Sequence, residues 1–538
     1  MKAHDYLVIG SGCSGAMAAQ TLVEAGVKVA LLDVGVQAKE NSESVPDKDF
    51  LSIRKTDPEQ YRYLIGPTGE GISWGNISKG AQVTPPRLHM TKLVDKYLPL
   101  DSATFSPLES LGYGGLAIGW GLQCWEYSDA DLKRSGLNIS KMRSAYETVS
   151  RRIGVSATND DAAAYTIGSL RTYQPSATMD RNHRYISAHY TRHKESLQRA
   201  GIFVGRTPLA LITQDYDGRQ AYNYNDMDFY ANQGQSAWRP NITIDTLRKQ
   251  SNFTYLGGQL VISFAETKEG VTVKSLDVKT GKLTSVRCRK LILASGALGT
   301  ARIVLRSLGQ VGSRVPILSN PHSYMPCLLP TMIGKEGEPH KLSLGQLSYF
   351  IDPEGSDSGI SVASSYSYQS LMLFRIVNQA PLNFSDARII MRYLASGLVI
   401  MIIQHPDSPT SQKYLTLTDA SDSPTGDKLQ AYYSLSNEEE ALWSERERRY
   451  QTTMRKFRAY AIKRMDPGHG SSIHYAGTLP YSKTTQDFRL SPSGRLHGTR
   501  HVYVADSSGF NYLPAKGLTF SLMANAHLTA QNVLKEVK

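Results

Sequence analysis

The sequence predicts an α/β protein in which a Rossmann-type nucleotide-binding domain is interleaved with a sheet-rich α+β domain. Three observations predict this fold. Residues 6–33 read as a strand, a glycine-rich turn, a helix and a second strand, which together make one βαβ unit. Short strand-like runs of the same texture return in residues 252–307. Between residues 311 and 435, loops rich in Gly, Ser and Pro alternate with apolar runs, which favours a second domain built mainly from strands.

Length and composition agree with two domains. The chain has 538 residues, which is more than a single hydrophobic core usually supports. Hydrophobic residues make up 41% and charged residues 20% of the sequence, values that are typical of a folded globular protein. No apolar run reaches the roughly 18 residues that a membrane-spanning helix needs. The longest run, residues 394–403, is predicted to be a buried strand.

The cysteines and the N-terminus indicate the compartment. Cys13, Cys124, Cys288 and Cys327 form no C-x-x-C pair and have no metal-ligand spacing, which argues against a disulfide framework and a zinc site. We therefore predict no metal. The chain opens with one lysine and a strand-like segment and lacks the features of a signal peptide. A cytoplasmic protein in a reducing compartment is expected.

The net charge of +12 and the pI near 9.2 are compatible with a nucleic-acid partner, a membrane surface or an anionic substrate. The basic residues are dispersed along the chain, and the densest stretch, residues 446–458, follows glutamates on one predicted helix. This pattern is typical of a solvated helix face. No recognisable nucleic-acid-binding module is present, so no nucleic-acid partner is predicted.

The first turn carries the strongest local signal. Gly10, Gly12 and Gly15 have the spacing G-x-G-x-x-G between a strand and a helix that extends to residue 25. The first glycine permits the tight turn, the second lets a pyrophosphate approach the backbone, and the third allows close helix packing. Asp33 follows at the end of the next strand, where a carboxylate accepts hydrogen bonds from ribose hydroxyls. These residues predict a dinucleotide site.

Further elements follow along the chain. Residues 40–110 are expected to be largely irregular. A helix is predicted over residues 141–153, with Ser140 as N-cap and Gly154 as its end. Strands are predicted at 271–273 and 290–293. A long helix is expected to begin at the capping box of Ser436 and Glu439 and to continue to the Asp-Pro-Gly sequence at 466–468.

Four blocks of sequence resemble the glucose–methanol–choline oxidoreductase family. They are the N-terminus, residues 111–155, residues 290–307 and the chain from 470 onward, and they cover less than half of the sequence. The block Gly112-Tyr113-Gly114-Gly115-Leu116-Ala117-Ile118-Gly119-Trp120-Gly121 is similar to the family's glycine-rich loop over the flavin. The resemblance implies FAD as cofactor. It also implies an FAD-binding Rossmann-type domain that is interleaved with a substrate-binding domain.

The same loop bears on how FAD is held. In pyranose-oxidase-like members of the family, the residue before the tryptophan is a histidine that bonds covalently to the flavin. This chain has Gly119 before Trp120. The resemblance therefore implies non-covalent FAD.

The C-terminal block resembles the catalytic part of the family. His474-Tyr475-Ala476-Gly477-Thr478 is similar to the family's His-x-x-Gly-Thr segment, whose histidine faces the reactive flavin nitrogen across the substrate. An alcohol delivers hydride only as its hydroxyl proton leaves, and an imidazole titrates close enough to neutrality to accept that proton. His474 is thus predicted to be the general base.

One position departs from the family pattern. Family members usually carry asparagine or histidine at the start of the last helix, as the second active-site residue, and this chain has Gly517 there. Lys516 precedes it, and its charge would stabilise an alkoxide or a reduced flavin. We therefore predict Lys516 as the second catalytic residue. His527 lies too far along the helix to replace it.

The resemblance carries over to further residues and to domain boundaries. The predicted FAD-binding domain comprises residues 1–155, 240–310 and 468–538, and the substrate-binding domain comprises 156–239 and 311–467. The predicted cofactor contacts are Gly10, Gly12, Ser14, Gly15, Asp33, Gly114, Gly115, Gly119, Trp120, Val261, Ser295, Gly296, Asp506, Ser507, Gly517, Leu518 and Thr519.

The expected activity is the oxidation of an alcohol group of a sugar, glycoside or other polyol, with oxygen or another electron acceptor. Tyr366, Tyr368 and Tyr393 are candidates for stacking on a sugar. One alternative is a lipophilic or lipid-linked alcohol at a membrane surface, which residues 371–403 would contact; an amphipathic basic surface helix would favour it and buried strands would argue against it. The other alternative is a flavin-binding protein without oxidase activity. The oligomeric state is left open.

Overall fold

The computed structural model describes residues 3–40, 42, 45–46, 48, 52–53, 56–64, 85–224, 232, 234–335, 338, 342–367 and 383–536. Much of the segment 40–110, which was predicted to be irregular, lies outside these residues. Within the described ranges, no helix is both long enough and apolar enough to cross a membrane.

The strands follow one another along the chain in this order: β1 (Ala3–Ile9), β2 (Val29–Leu32), β3 (Leu100–Asp101), β4 (Ser156–Ala157), β5 (Gln174–Pro175), β6 (Ile202–Arg206), β7 (Phe253–Leu256), β8 (Gln259–Glu266), β9 (Val271–Asp277), β10 (Leu283–Leu293), β11 (Arg314–Pro316), β12 (Leu318–Ser319), β13 (His322–Leu328), β14 (Gly345–Ile351), β15 (Val362–Ser367), β16 (Leu398–Gln404), β17 (Lys413–Asp419), β18 (Asp427–Tyr433), β19 (Tyr460–Ala461), β20 (Tyr475–Ala476) and β21 (Val502–Val504).

The described α-helices are α1 (Cys13–Glu24), α2 (Tyr61–Leu64), α3 (Val94–Tyr97), α4 (Asp129–Arg134), α5 (Ile139–Ile153), α6 (Ala163–Thr166), α7 (Arg181–Arg192), α8 (Lys194–Arg199), α9 (Pro240–Leu247), α10 (Gly296–Ser307), α11 (Phe384–Leu394), α12 (Asn437–Lys456) and α13 (Leu518–Lys535). Short 3₁₀ turns include Gly115–Ile118, Ala395–Gly397 and Ser507–Gly509.

A seven-stranded sheet holds the predicted βαβ unit. Its order is β7-β2-β1-β10-β9-β8, with β21 also paired to β10. Strands β7, β2, β1, β10 and β21 run parallel, whereas β8, β9 and the first half of β10 form an antiparallel extension. The small buried residues of α1, among them Ala16 and Ala19, allow this helix to pack closely against α13.

A second sheet is six-stranded and antiparallel, in the order β19-β13-β16-β15-β14-β6. One of its faces packs on α7 and α12 through a separate apolar cluster that includes Ile186, Tyr190, Met401 and Tyr450. A smaller sheet, β11-β17-β18-β3, and the two-stranded ladder β12-β20 complete the connection between the two large sheets. This arrangement leaves the other face of the second sheet available to line a cavity.

Helix α5 confirms the predicted apolar face and differs at its start. Met142, Ala145, Tyr146, Val149 and Ile153 are all buried, as predicted, and Gly154 ends the helix at φ +71°. The N-cap is Asn138 and not Ser140, because the Asn138 side chain accepts a hydrogen bond from the backbone N–H of Lys141. The helix therefore begins two residues earlier than predicted.

Helix α12 begins at the predicted capping box of Ser436 and Glu439 and ends ten residues before the predicted Asp-Pro-Gly stop. Arg458 adopts a left-handed conformation at φ +59°, and the backbone N–H of Ala459 donates to the carbonyl of Met454, which is a common helix ending. The chain then enters β19, which pairs with β13. The helix thus ends where the chain turns to pair with a distant strand. No local sequence signal predicted this end.

The apolar run 394–403 is only partly a strand. Helix α11 and a 3₁₀ turn occupy the chain up to Gly397, and β16 begins at Leu398. The strand itself is largely buried, as predicted. The predicted strands at 271–273 and 290–293 are present and extend further, as β9 and β10.

Candidate active site

A cavity of about 410 Å³ runs along the carboxyl ends of β1, β2 and β10 and continues to the free face of the second sheet. Ligands of open α/β sheets bind at this edge. Asp33 and Val261 line one end of the cavity, and His474 lines the other. The structure therefore brings the N-terminal glycine turn and the C-terminal histidine to the same enclosed space.

The N-terminal turn has the geometry of an anion site. Gly10 adopts φ +99°, and a Cβ on this residue would lie 2.7 Å from the Ala294 carbonyl oxygen. Gly12 caps α1 without a side-chain hydrogen bond, so the first N–H groups of the helix remain available to a ligand. A Cβ on Gly12 would meet nothing within 4 Å. Open space therefore lies in front of the helix, beside Ser14, which also lines the cavity.

Gly15 has a packing role and does not line the cavity. A Cβ at this position would lie 1.8 Å from the carbonyl oxygen of Gly10. Any side chain would therefore push the helix away from the turn that precedes it. The third glycine of the motif was predicted to allow close helix packing, and its surroundings agree with that prediction. Gly15 does not contact the cavity directly, although it was among the predicted cofactor contacts.

Asp33 belongs to a hydrogen-bond network that ties the two glycine-rich loops together. The Ser11 hydroxyl donates to the Asp33 carboxylate and accepts from the backbone N–H of Gly114 at 2.9 Å. Tyr255 donates to the same carboxylate at 3.2 Å. Burial raises the pKa of Asp33 to about 6. Ser11 and Tyr255 were not predicted, because neither position stands out in the sequence motif.

The second glycine-rich loop lies directly against the first. Gly114 and Gly115 adopt left-handed conformations, at φ +92° and +62°, and a Cβ on Gly115 would lie 3.3 Å from the Cα of Gly12. Gly115, Gly119 and Trp120 line the cavity, whereas Gly114, which was also predicted to contact the cofactor, does not. The Trp120 indole donates to the backbone carbonyl of a neighbouring tryptophan, Trp238, at 3.2 Å, which fixes the ring at the cavity wall.

The predicted cofactor residues from the later part of the chain also line the cavity. Ser295, Gly296, Asp506, Ser507, Gly517, Leu518 and Thr519 all line it. Asp506 accepts hydrogen bonds from Thr300 at 2.6 Å and from the Ser508 backbone at 2.9 Å, and burial raises its pKa. Helix α13 starts after Gly517 with no capping side chain, so its N-terminal N–H groups also face the cavity region.

His474 is held in a strained turn at the far end. Ile473, which precedes it, adopts φ +61°, a conformation that costs a β-branched residue about 1–3 kcal/mol. The two residues of β20 follow directly and pair with β12. Burial lowers the pKa of His474 to about 4, so the imidazole is neutral at physiological pH and able to accept a proton. Its Nδ1 lies 3.0 Å from Oδ1 of Asn320.

The structure corrects the prediction that Lys516 is catalytic. The Lys516 side chain is buried, and its ammonium donates to the Asp357 carboxylate at 2.9 Å. It is not among the residues that line the cavity. A buried ammonium needs a carboxylate partner, and Asp357 supplies it. Lys516 is thus part of the structural support of the last helix.

The free face of the second sheet supplies residues that sequence reasoning missed. Side chains two residues apart along a strand point to the same face, and the alternating positions of β13, β15 and β16 form the floor of the cavity. The floor consists of His322, Tyr324, Tyr366, Ile400, Ile402 and Gln404. His322 and Gln404 are register partners. Gln404 Oε1 is buried and, among the described residues, has no hydrogen-bond partner.

The three tyrosines that were predicted as candidates to contact a sugar lie in different places. Tyr366 lies on the floor, and its hydroxyl accepts from Gln123 at 2.7 Å. Tyr393 is at the end of α11, where it is 62% exposed, and it does not line the cavity. It is therefore corrected to a surface residue. Tyr368 lies outside the described residues.

Cys13, Cys124, Cys288 and Cys327 are all described, and each is a buried free thiol. Within the described ranges, no group of three or more His, Cys, Asp or Glu side chains is arranged to hold a metal ion.

Known proteins share this architecture. Pyridoxine 4-oxidase from Mesorbium loti superposes with a TM-score of 0.59 over 99% of both chains, at 14% sequence identity. The predicted α/β fold class is thereby confirmed.

Sequence comparisons also find oxidases. Paromamine 6'-oxidase from Streptomyces fradiae is 24% identical over 314 residues, which are 57% of this chain and 50% of that protein. A 6'''-hydroxyparomomycin C oxidase from Streptomyces lividus is 26% identical over 307 residues, 56% of this chain and 50% of the relative. The resemblance to the glucose–methanol–choline oxidoreductases is confirmed.

The matched regions span half the length of these two oxidases, and no family model matches the chain. Both relatives are oxidases, as the predicted alcohol oxidoreductase activity requires.

Proposed function

We propose that the protein is an FAD-dependent enzyme that oxidises an alcohol group of a sugar, glycoside or other polyol. The observation that carries this proposal is the single cavity that joins the glycine turn and Asp33 at one end to His474 at the other. The residues fit the cofactor: space is open in front of Gly12, a helix N-terminus faces it, and the half-buried Asp33 carboxylate follows the second strand. Bound there, FAD would accept the hydride that leaves the substrate carbon.

The chain's own residues divide the remaining work. His474 accepts the hydroxyl proton of the substrate, because burial keeps its imidazole neutral. The buried Oε1 of Gln404 lacks a donor within the described part of the protein and accepts a hydrogen bond from a second substrate hydroxyl. The side chains of the floor and the wall formed by Trp120 limit the access of water. A substrate with neighbouring hydroxyl groups would satisfy both His474 and Gln404.

His322 takes the place of the missing second active-site residue in this proposal. Gly517 leaves room there, since a Cβ would meet atoms of Gln123 and Trp125 only at ordinary van der Waals distances, 3.8 Å or more. His322 reaches the cavity from β13 of the second sheet. Its pKa falls to about 3, because it is buried and lies in the field of His474. A neutral imidazole at this position is a hydrogen-bond partner for the substrate oxygen.

Non-covalent FAD is part of the proposal. Gly119 stands where a covalently attached histidine would be, and it lines the cavity beside Trp120. The sheets also support the proposed division of the chain, since the second sheet draws its strands from residues 202–206 and 322–461. Both points remain proposals.

The first experiment is an absorbance spectrum of the purified protein before and after acid precipitation. Flavin bands that move to the supernatant support non-covalent FAD, and yellow colour in the pellet contradicts it. A colourless protein that does not take up added FAD contradicts the whole proposal. Anaerobic bleaching then screens alcohols, with glucose, paromamine and pyridoxine in the first panel, and bleaching by a polyol supports the substrate class.

A surface feature favours a second candidate, the oxidation of a lipophilic alcohol at a membrane. Helix α11 lies within the stretch 371–403 that was considered for this contact, and Ile389, Ile390 and Tyr393 on it are exposed. Residues 368–382 lie outside the described part. Sedimentation with anionic phospholipid vesicles, compared between the wild type and Ile389→Ser/Ile390→Ser, tests this candidate. Unchanged partition into the supernatant for both proteins rejects it.

A protein that binds flavin without oxidising an alcohol is the remaining alternative. It predicts a yellow protein that no alcohol in the panel bleaches anaerobically.

A further inference from the structure

Asn320 and His474 face each other across the short ladder that joins the two large sheets. In this antiparallel ladder, Leu318 pairs with Ala476 and Ser319 with Tyr475. The next position in the same register brings Asn320 opposite His474, and their Oδ1 and Nδ1 atoms lie 3.0 Å apart. The contact is therefore set by backbone register and not by the chance meeting of two flexible side chains.

The orientation of the Asn320 amide follows from its other partners. Its Nδ2 donates to the backbone carbonyl of His405 at 2.8 Å and to that of Pro514 at 2.9 Å. Carbonyl oxygens only accept hydrogen bonds, so the NH₂ group must point toward them. The amide cannot be flipped without placing its oxygen against two other oxygens. Asn320 is 1% exposed, and solvent therefore offers no alternative partner.

This orientation determines the proton on the imidazole. Oδ1 of Asn320 accepts only, so Nδ1 of His474 must carry hydrogen and donate. In the neutral ring, Nε2 then bears the lone pair.

We propose that Asn320 is a positioning residue that holds His474 in the Nδ1–H tautomer, so that Nε2 is the atom that accepts the substrate's hydroxyl proton. This inference rests on the proposed function for the role of Nε2. The tautomer itself does not depend on it.

The segment that carries Asn320 is rigidly held. The backbone N–H of Ser319 donates to the Asp407 carboxylate at 2.8 Å, and the Tyr433 hydroxyl donates to the Ser319 carbonyl at 2.9 Å. Asp407 is in turn paired with the buried Lys413 ammonium at 2.6 Å. These bonds fix the main chain next to Asn320, as a positioning role requires.

Nitrogen-15 NMR of protein labelled at its histidines tests the proposal, on the flavin-loaded protein at neutral pH. The His474 signals are identified by their loss in His474→Ala. We expect a protonated Nδ1 and a bare Nε2 in the wild type. A protonated Nε2, or rapid exchange between the two tautomers, overturns the proposal. This measurement does not depend on enzymatic turnover.

Asn320→Ala gives a second test. Loss of the acceptor should produce a mixture of tautomers and slow anaerobic flavin reduction by about 10–100-fold, with little change in the substrate concentration that half-saturates the rate. Unchanged tautomer and rate contradict the proposal. If the variant does not fold, the wild-type spectrum still decides.

Asn252→Ala is the matched control. Asn252 also donates its amide to two backbone carbonyls, those of Val23 and Val27, at 3.0 and 3.1 Å, and contacts no histidine in the hydrogen bonds described. It should lower thermal stability and leave the His474 tautomer unchanged. One outcome separates the two proposals. If the wild type has the expected tautomer but no alcohol reduces its flavin, the proposed function is contradicted and the positioning of His474 by Asn320 is supported.

Discussion

The two ends of the cavity are built from different parts of the polypeptide. At the end beside Asp33, backbone groups dominate, with glycines at positions 10, 12 and 115 and the bare start of α1. At the end beside His474, side chains from β13, β15 and β16 form the floor. The comparison teaches that the first end depends on backbone conformation and on the space kept free for a ligand, whereas the second depends on the identity of its side chains.

The largest effect is expected for His474 at the side-chain end. His474→Ala should lower turnover by about 10²–10⁴-fold, because the proton acceptor is lost, while the flavin remains bound. Anaerobic flavin reduction measures it. The control is His527→Ala, since His527 is buried in α13 against Thr21 and does not line the cavity. Equal losses in both variants would mean that the effect is structural.

A substitution of Lys516 distinguishes a role in stability from a role in catalysis. Lys516→Met leaves the Asp357 carboxylate without its buried partner and should lower the free energy of unfolding by about 3 kcal/mol, with turnover of the flavin-loaded enzyme close to that of the wild type. Chemical denaturation and flavin reduction measure the two quantities. Lys516→Met/Asp357→Asn should recover part of the stability. A loss of turnover as large as that of His474→Ala would restore Lys516 to the catalytic site.

Two glycines of the same motif should behave differently at the backbone end. Gly15→Ala should destabilise the protein by about 2–3 kcal/mol with or without FAD, because its methyl group would overlap the Gly10 carbonyl. Gly12→Ala has space for its methyl group in the protein alone. It should leave the stability of the flavin-free protein unchanged and weaken FAD binding. Melting temperatures and FAD titration test the pair, and similar behaviour of both variants would contradict this division.

The pH dependence should reflect the burial of His474. The base works in its neutral form, and its pKa lies near 4, below the ordinary value of about 6.5. The rate of flavin reduction should therefore stay constant from neutral pH downward and fall only as pH approaches 4. Rapid pH jumps of flavin-loaded enzyme avoid cofactor loss from protonation of Asp33. A decline centred near the ordinary histidine value would show that the imidazole is solvated.

Sequence reasoning succeeded where a few neighbouring residues determine the local structure. The turn from Gly10 to Gly15, the apolar face of α5 and the capping box at Ser436 are local patterns, and the structure has them where they were expected. The resemblance to a known family placed His474 and most of the cofactor residues around one cavity. Their roles remain predictions.

The failures share a physical cause. Asn320 directly follows β12, and His322 and Gln404 lie on β13 and β16. All three are far from His474 in sequence, and the pairing of strands places Asn320 opposite His474 and His322 beside Gln404. Lys516 looked catalytic because of its place in the chain, but the direction of its side chain depends on Asp357, more than 150 residues away. The end of α12 was likewise set by a distant strand. Local sequence carries little information about such pairings.

The ladder of β12 and β20 has a consequence for how the substrate preference of the proposed enzyme can be altered. The acceptor that orients His474 comes from behind the imidazole through main-chain register, and Asn320 is not among the side chains that line the cavity. Replacing residues of the floor would therefore alter which alcohol is held without altering which nitrogen takes the proton. Under the proposed function, different residues thus determine substrate selectivity and proton transfer, and the floor is the place to begin redesigning specificity.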